Sequence, residues 1–451
     1  MYPKAKMIMD FHATEFAPFG SNQISNSTRN KLLSHDRPIH DWYRFVLAYP
    51  PHLVREYIEK FNVGSDDLLL DPFCGTGTTV VEARLCGIPS IGLEANRFAQ
   101  FAGSVKLNWS ISSDDMMDAA FGIADRASRR LERGGVSDTP DRHVAASNNL
   151  RELDPERASL ILRNSISPLP LHKALILLEE IDRFKNTSYG GHLRIAFANI
   201  IVFKVSNLRF GPEVGVGRQR NDVAVISEWL QEVERIAGDI ESLKGGAFPT
   251  AAVYLSDSRD LAKNLKNKRI SAVITSPPYP NEKDYTRTTR LESVLLGFIH
   301  DKLDLREMKK TLLRSNTRGV YKEDNDDRFV ANIPEIIEVA DEIEARRIEL
   351  NKTSGFERMY GRVTKLYFGG MARHLKELSQ FLAPGAQLGY VVGDQASYLR
   401  VMIRTGTLLG KVAESVGYEL VGIDQFRTRF STATKSELNE EVVVLRWPGK
   451  K

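Results

Sequence analysis

Cysteine is scarce in this chain, which has only Cys74 and Cys86 among its 451 residues. Two thiols cannot build a disulfide framework or a four-cysteine zinc site, so both of these structural classes are excluded. The nine histidines include no HExxH-type spacing, and we expect no metal site. Low cysteine usage suits a reducing compartment, and we expect a cytoplasmic protein.

Long apolar runs are also missing. No stretch reaches the about 18 uninterrupted apolar residues of a membrane span, and the first residues lack the apolar core of a signal peptide. We therefore expect no membrane association. Neither sign of charge dominates, because 62 Lys and Arg stand against 58 Asp and Glu. This balance permits a polyanionic partner without arguing for one.

The remaining composition is that of a globular protein, with 42% hydrophobic and 27% charged residues. A strand, a helix and a second strand at 68–70, 80–85 and 88–93 predict a βαβ unit. From 112 to 246 the pattern is mostly helical, with an exposed Gly- and Arg-rich loop at 209–221. Further strand patterns occur at 252–255, 272–274, 387–392, 418–424 and 441–447.

The first chemical motif follows the first strand and precedes the first helix of this unit. It reads Asp71-Pro72-Phe73-Cys74-Gly75-Thr76-Gly77-Thr78. Its small residues let the backbone approach a ligand, and Glu94, 23 residues after Asp71 at the next strand end, is suited to ribose hydroxyls. Val80 stands where a dinucleotide fingerprint has its third glycine. Asp71 would repel a pyrophosphate but attract a cationic amino-acid group, which favours S-adenosylmethionine.

The second motif, Ser276-Pro277-Pro278-Tyr279, ends the buried strand pattern at 272–274. Prolines fix the backbone and donate no hydrogen bond, so nearby carbonyls remain free to accept. An extruded base could stack on the Tyr279 ring while oxygen atoms of Ser276 and Pro277 accept from its exocyclic amine. Such acceptors would localise the nitrogen lone pair towards a methyl donor, and alignment of the reactants can contribute about 7–11 kcal/mol.

Together the two motifs resemble the amino-methyltransferases of DNA, which produce N4-methylcytosine or N6-methyladenine. The resemblance covers about residues 40–108 and 250–447. It implies an α/β fold with a Rossmann-like seven-stranded mixed sheet, helices on both faces and an antiparallel last strand, here with a large, mainly helical insertion. It also implies S-adenosylmethionine as cofactor, double-stranded DNA as substrate and a cognate restriction endonuclease as a partner. Serine at the first catalytic position favours cytosine N4 over adenine N6, although exceptions to this rule are known.

The resemblance also assigns roles to individual residues. Asp257 corresponds to the acidic residue beside the adenine ring of the cofactor, and residues 40–58 correspond to a segment that closes over its methionine part. The residues implied for cofactor binding are Asp71, Pro72, Phe73, Gly75, Thr76, Gly77, Thr78, Glu94 and Asp257. The catalytic residues are Ser276, Pro277, Pro278 and Tyr279.

We divide the chain accordingly, with the target-reading segment placed in one of two insertions. The segments are an N-terminal arm (1–35), a cofactor-binding half (36–108), a helical insertion with possible target recognition (109–250), a catalytic-motif segment (251–300), a second insertion (301–364) and the C-terminal part of the catalytic domain (365–451).

Several basic residues are candidates for DNA contacts. Arg209, Arg218 and Arg220 lie in the Gly-rich loop, where a solvated loop without a ligand is the alternative. Arg287 and Arg290 follow the catalytic motif and could bind phosphates, or form surface salt bridges. Arg314, Arg318 and Lys322 of the second insertion are similar candidates, next to an acidic run at 323–327 that we expect to face solvent in part.

Two other functions remain open from the sequence. Guanine-N2 methyltransferases of transfer RNA share a similar cofactor loop, but they usually have Asp or Asn before the Pro-Pro pair and an RNA-binding domain in front. A catalytically silent DNA-binding subunit is the other alternative, and the intact motifs disfavour it. Cys74 is expected to be structural rather than a nucleophile for cytosine C5, because it lies in the cofactor loop and no Pro-Cys pair is present.

Overall fold

A computed structural model describes residues 31–45, 48–140, 149–211, 213–281, 283–431 and 435–449. Most of the predicted arm, 1–35, lies outside the described residues. The strands are β1 (Leu69–Asp71), β2 (Ser90–Glu94), β3 (Leu208–Phe210), β4 (Val214–Val216), β5 (Ala251–Leu255), β6 (Ile270–Thr275), β7 (Leu382–Gly393), β8 (Glu419–Ser431) and β9 (Ser436–Arg446).

Seven of these strands form one mixed sheet in the order β5-β2-β1-β6-β7-β9-β8. The first five in this order run parallel, and β9 lies antiparallel between β7 and β8. The predicted α/β fold with a seven-stranded mixed sheet and an antiparallel last strand is therefore confirmed. The other two strands, β3 and β4, pair as a separate antiparallel hairpin.

The described residues also contain fifteen α-helices. They are α1 (Pro51–Lys60), α2 (Thr78–Leu85), α3 (Arg97–Lys106), α4 (Ser113–Arg133), α5 (Pro155–Ala158), α6 (Pro168–Asp182), α7 (Gly190–Ile200), α8 (Val225–Ser242), α9 (Ala262–Leu265), α10 (Tyr285–Thr288), α11 (Arg290–Leu295), α12 (Lys302–Thr311), α13 (Pro334–Glu349), α14 (Tyr360–Leu378) and α15 (Thr405–Ser415). A π-helical turn, Ile201–Val205, directly extends α7.

Helices cover both faces of the sheet. Successive side chains of a strand point to opposite faces, so each strand contributes to the core on both sides. Leu69 and Ile274 pack into one core with Leu53 and Tyr57 of α1. Leu70, together with residues of α14 and α15, belongs to the core on the opposite face. Both strand faces are thus apolar, as is usual for a parallel sheet between helices.

The helical insertion is not a separate globule. Its helices α4, α6, α7 and α8 share one core with Val80 of α2 and with Phe98 and Val105 of α3. Ser112 caps the N-terminus of α4, and its hydroxyl accepts from the N–H of Asp115. The insertion is therefore fixed against the cofactor-binding half of the sheet.

Two predicted elements differ from the structure. The stretch 209–221 was expected to be a loop, but it contains most of the β3–β4 hairpin, whose Phe210 ring packs against Phe203 at a centroid distance of 6.1 Å. Helix α14 begins at Tyr360, so the boundary expected at 364 between the second insertion and the C-terminal part of the catalytic domain falls inside a continuous helix.

The described residues contain no helix that is both long and apolar enough to cross a bilayer. Within the same residues, no cluster of three or more His, Cys, Asp and Glu side chains is arranged to hold a metal ion.

Candidate active site

The two predicted motifs lie at the carboxyl ends of neighbouring parallel strands. Strands β1 and β6 are hydrogen-bonded in register, with Leu69 opposite Ala272 and Leu70 opposite Val273. The Thr275 hydroxyl donates to Asp71 Oδ1 over 2.5 Å, which joins the two strand ends directly. Ligands of open α/β sheets bind beyond the carboxyl ends of the strands, so this edge is where a site is expected.

One cavity of about 740 Å³ lies at this edge, a volume ordinary for a small-molecule site. Both motifs contribute to its wall, together with residues from β2, the segment before α1, the β3–β4 hairpin, the second insertion and β8–β9. The motif residues in the wall are Pro72, Phe73, Cys74, Gly75, Thr76, Thr78, Glu94, Ser276, Pro277, Pro278 and Tyr279.

The cofactor loop is shaped by two glycines in left-handed conformations. Gly75 has φ of +54° and Gly77 has φ of +93°, values that other residues adopt only with strain. A Cβ at Gly77 would also come within 3.2 Å of the Gly103 backbone, whereas none of the described atoms lies within 4 Å of a Cβ position at Gly75. The first glycine therefore leaves backbone open to the cavity, and the second allows close packing on α3.

Glu94 holds this loop from the end of β2. Its two carboxylate oxygens accept from the N–H of Gly75 over 2.8 Å and from the N–H of Asn96 over 2.7 Å. Burial raises the pKa of Glu94 to about 7, and the nearby Asp71 carboxylate acts in the same direction. The carboxylate lines the cavity, where further donors such as ribose hydroxyls could bind to it.

Asp71 is fully buried beneath the loop. Besides Thr275, its donors are the N–H of Phe73 over 3.1 Å and the hydroxyl of Tyr49 over 3.1 Å. Burial raises the pKa of Asp71 to about 6, although these hydrogen bonds oppose the shift. Asp71 thus shapes the loop from below, in contrast to Glu94, which lies in the cavity wall.

Tyr49 was not singled out as an individual candidate. It lies in the wall with Pro50, within the segment 40–58 expected to close over the cofactor, and contacts both Asp71 and Thr79. His40 of the same segment is buried against Glu82, with Nε2 and Oε1 2.7 Å apart. The aromatic residue next to Pro50 was the only signal in the sequence.

The catalytic tetrapeptide presents oxygen atoms and a ring to the cavity. Ser276 donates its hydroxyl proton to the carbonyl of Val391 over 3.1 Å. Because a hydroxyl has one proton and two lone pairs, its remaining capacity is that of an acceptor. Tyr279 is half-buried, and its backbone N–H donates to the Tyr285 hydroxyl over 3.0 Å. One edge of the ring lies against Gly393, where a Cβ would meet it at 3.0 Å.

Asp257 has a different environment from the other proposed cofactor residues. Its carboxylate receives Nε and Nη2 of Arg259 over 2.9 and 2.7 Å, and Arg259 also donates to Asp326 over 2.8 Å. Its neighbours Ser256 and Ser258 line the cavity, but Asp257 is not among the described lining residues. In the acidic run 323–327, Glu323 and Asn325 are exposed, in line with a stretch that faces solvent in part, whereas Asp326 is buried. Arg314 is buried and pairs with Asp324 over 2.7 Å.

The basic candidates fall into exposed and engaged groups. Arg209 and Arg218 are exposed on and beside the hairpin. Arg220 is exposed but donates to the carbonyls of Phe203 and Lys204, and so holds the end of the π-helical turn.

The two arginines after the catalytic motif have partners within the protein. Arg287 contacts Glu213 over 3.2 Å. Arg290 donates to the backbone and side chain of Thr286 and to the carbonyl of Leu160, and burial lowers its pKa.

The β8–β9 pair supplies cavity residues that the sequence analysis missed. Arg427 lies opposite Glu440 and donates to it over 2.5 and 2.7 Å, and both residues line the cavity with Arg429. The half-buried Lys283 lies in the same wall, next to these charges. Their contribution depends on the register of β8 against β9, which has two bulges and could not be read from either strand alone.

Cys74 lies in the cavity wall, but it is buried and has a raised pKa because of desolvation and the nearby Asp71 and Glu94. A thiol that stays protonated is a poor nucleophile. The geometry is therefore consistent with a structural cysteine.

Comparison with known proteins agrees with this arrangement. A family model described as a DNA methylase matches residues 21–101, a range that includes the cofactor loop and Glu94. Type II methyltransferase M.BsoBI of Geobacillus stearothermophilus is 25% identical over 437 residues, which cover 88% of this chain and 83% of that protein. These similarities support an amino-methyltransferase family for this chain.

Two further relatives show how far the similarity extends along the chain. Type II methyltransferase M.AvaI of Nostoc sp. is 24% identical over 436 residues, with 88% of this chain and 83% of that protein covered. A tRNA (guanine(10)-N2)-dimethyltransferase of Methanothermobacter thermautotrophicus is 34% identical over 71 residues, but this covers only 16% of this chain and 20% of that protein. The similarity to Type II methyltransferases thus extends over most of the chain, whereas that to the RNA enzyme is confined to a short segment.

Proposed function

We propose that this protein is a site-specific DNA methyltransferase that transfers a methyl group from S-adenosylmethionine to the exocyclic amine of a flipped base. Cytosine N4 is the favoured target, and the proposed setting is restriction-modification with a cognate endonuclease. The carrying observation is that residues of the cofactor loop and of the catalytic tetrapeptide line one cavity at the carboxyl ends of β1, β2 and β6. The similarity to Type II methyltransferases over most of the chain supports the DNA substrate.

The residues of the loop fit S-adenosylmethionine. Glu94 would accept from the ribose hydroxyls, and the open backbone at Gly75 would lie against the nucleoside. The buried carboxylate of Asp71 would favour the cationic methionine part, while Tyr49 would close over it. Asp257 remains a proposed partner of the adenine, and such a contact would have to share the carboxylate with Arg259.

When bound, S-adenosylmethionine supplies a methyl group on a sulfonium, and its sulfur retains the bonding electron pair when the methyl group leaves. The protein must orient an exocyclic amine, whose lone pair is otherwise delocalised into the base. The hydroxyl proton of Ser276 is held by Val391, so its oxygen is available to accept from that amine, together with the Pro277 carbonyl. Tyr279 would stack on the flipped base, and Pro278 would keep this tip rigid.

Serine at position 276 is the reason for favouring cytosine N4, since adenine N6 enzymes of this type more often have Asp or Asn there. Adenine N6 is the alternative within the same chemistry. The exposed Arg209 and Arg218 are proposed to contact the duplex, with Arg287 beside the flipped nucleotide. Arg220 and Arg290 would act indirectly, by holding the π-helical turn and the start of α11.

Methylation of RNA is the second candidate function, and the short similarity to a tRNA dimethyltransferase favours it.

Expression in a host that lacks DNA methylation should introduce N4-methylcytosine at one sequence context, detected by modification-sensitive sequencing and by mass spectrometry of nucleosides. Tritiated methyl transfer to DNA and to RNA would be measured in parallel. Detection of N6-methyladenine would change the target base from cytosine to adenine. Incorporation of methyl groups into RNA alone would identify RNA as the substrate. No incorporation into either nucleic acid would favour the catalytically silent DNA-binding subunit.

Cofactor affinity is expected to fall as the pH decreases below about 7. The pKa of Glu94 is raised to about 7, so the carboxyl is largely protonated at pH 6 and must lose its proton before ribose hydroxyls can donate to both oxygens. The decrease should approach about tenfold per pH unit well below that pKa. Calorimetric titration at pH 6, 7 and 8, in buffers of different ionisation enthalpy, measures both the affinity and the proton release.

Glu94→Gln is the matched control for this prediction. The amide keeps the size of the side chain but cannot titrate, so binding should be weaker overall and should lose the pH dependence that Glu94 contributes near pH 7. The dependence that remains should lie near pH 6, where Asp71 titrates. A wild-type affinity that stays constant between pH 6 and 8 would contradict the proposed role of the Glu94 carboxylate.

A further inference from the structure

Glu213 connects three segments that are far apart in the sequence. It lies between β3 and β4, and its Oε2 atom is 3.2 Å from Nη1 of Arg287 and 3.8 Å from Nη1 of Arg318. Arg287 is in α10, shortly after the catalytic tetrapeptide, and Arg318 is in the second insertion within the turn Thr317–Gly319. One carboxylate therefore bridges the hairpin to two arginines on the other side of the site.

Glu213 also lines the cavity. Gly211 and Glu213 belong to the same wall as the catalytic tetrapeptide, and this wall also includes Lys283 and Arg429. We call Lys283, Arg287, Arg318 and Arg429 the basic rim. Glu213 is thus an acidic side chain placed among cations beside the proposed catalytic site.

A carboxylate and a phosphodiester can each pair with the guanidinium groups of Arg287 and Arg318. Both present oxygen acceptors to guanidinium donors, and charge-assisted hydrogen bonds of this type are among the stronger ones. The pairs of Glu213 are half-exposed to exposed, and exposed ion pairs contribute little net stability. Exchange of the carboxylate for a phosphate is therefore energetically feasible.

The hairpin stands apart from the main sheet. Each strand has three residues, and β3–β4 forms its own two-stranded sheet. Its base is held by the N–H of Gly217, which donates to the carbonyl of Asn207, and the Phe210 ring beside the turn packs against Phe203. The Glu213 side chain is exposed, so it can turn away from the two arginines while these contacts remain.

We propose that Glu213 occupies the place of a DNA phosphate on Arg287 and Arg318, and that the backbone of bound duplex displaces it. This inference rests on the proposed function. In the free protein the carboxylate ties the hairpin to the two arginines and neutralises part of the basic rim. On binding, the two arginines pass to the phosphate, and the Glu213 carboxylate turns away from them.

The test is binding of a fluorescein-labelled DNA duplex of mixed sequence, followed by anisotropy over a series of KCl concentrations. Glu213→Gln removes the competing charge and is expected to lower Kd by about two- to fivefold, the range of an exposed ion pair. Arg287→Gln with Arg318→Gln should weaken binding and reduce the salt slope by about one for each phosphate that the protein no longer binds. In this double-arginine background, the effect of Glu213→Gln should disappear.

Glu234→Gln is the matched control, since Glu234 is an exposed acid on α8 and its removal changes net charge equally. A decrease in Kd as large as that of Glu213→Gln would overturn the proposal, as would an effect of Glu213→Gln that persists without the two arginines. Tritiated methyl transfer to DNA by the wild-type chain is measured in parallel. If the wild-type chain methylates DNA but Glu213→Gln leaves Kd unchanged, only this inference is refuted. If the wild-type chain neither methylates nor binds DNA, the proposed function is refuted as well.

Discussion

Tyr279→Ala is expected to reduce DNA methylation by about 10- to 100-fold while cofactor affinity stays close to that of the wild type. Base-aromatic stacking is worth about 1–3 kcal/mol per base, and each 1.36 kcal/mol corresponds to about a tenfold change in rate. Tyr279 lies in the cavity wall on the side of β6, whereas the loop and Glu94 lie on the side of β1 and β2. Tritiated methyl transfer and calorimetric titration of S-adenosylmethionine separate the two effects.

Tyr279→Phe is the matched control because it keeps the ring and removes only the hydroxyl. It should retain most of the activity if stacking is the main role of the side chain. Unchanged transfer in Tyr279→Ala would exclude that role. A loss of cofactor affinity in the same variant would indicate instead that the substitution disturbs the packing of the ring against Gly393 and, through it, the end of β7.

Much of the site could be predicted from the sequence because its two motifs are contiguous. The positions of Gly75, Gly77 and Glu94 follow from a strand, a turn and a strand within one βαβ unit. Parallel strands have their carboxyl ends at the same edge, so a second motif at the end of another strand could be expected nearby. In the structure, Glu94 and Tyr279 do line the same cavity.

Several unpredicted features depend on contacts between different segments of the chain. Pairing of Arg427 with Glu440 requires the bulged register of β8 against β9. The Arg259 contacts with Asp257 and Asp326 join the catalytic half to the second insertion, which the sequence suggested was partly solvent-facing. No periodicity within one segment encodes such pairs, since each charge has many possible partners along the chain.

The positions of the Asp71 and Glu94 carboxylates relative to the cavity could not be predicted either. Asp71 and Glu94 are both acids at strand ends, and the sequence gives no reason to place one below the loop and the other in the cavity wall. The difference arises because Asp71 meets donors from three neighbours, including Thr275 of β6 and Tyr49 before α1. These donors satisfy the carboxylate oxygens of Asp71 within the protein. Asp71 must therefore attract a cationic ligand across a short buried distance, or influence binding through the conformation of the loop.

Asp71→Ala is expected to abolish measurable binding of S-adenosylmethionine. The substitution removes a buried negative charge near the proposed cation site and leaves the N–H of Phe73 and the hydroxyls of Thr275 and Tyr49 without their acceptor. Each buried polar group left unpaired costs about 1–3 kcal/mol. Combined effects on the loop should lower affinity by at least about 100-fold, as measured by isothermal titration.

Two further variants distinguish the charge of Asp71 from its structural role. Asp71→Asn keeps the size and one acceptor oxygen but removes the charge, so an affinity between those of the wild type and Asp71→Ala is expected. Thr275→Val removes one donor and keeps the carboxylate, and should retain most of the affinity. Thermal unfolding identifies a variant that has lost its fold. If Asp71→Ala is folded and binds S-adenosylmethionine with wild-type affinity, this loop is not the cofactor site. If only Asp71→Asn retains wild-type affinity, the loop remains the proposed site, but the charge of Asp71 does not contribute to binding.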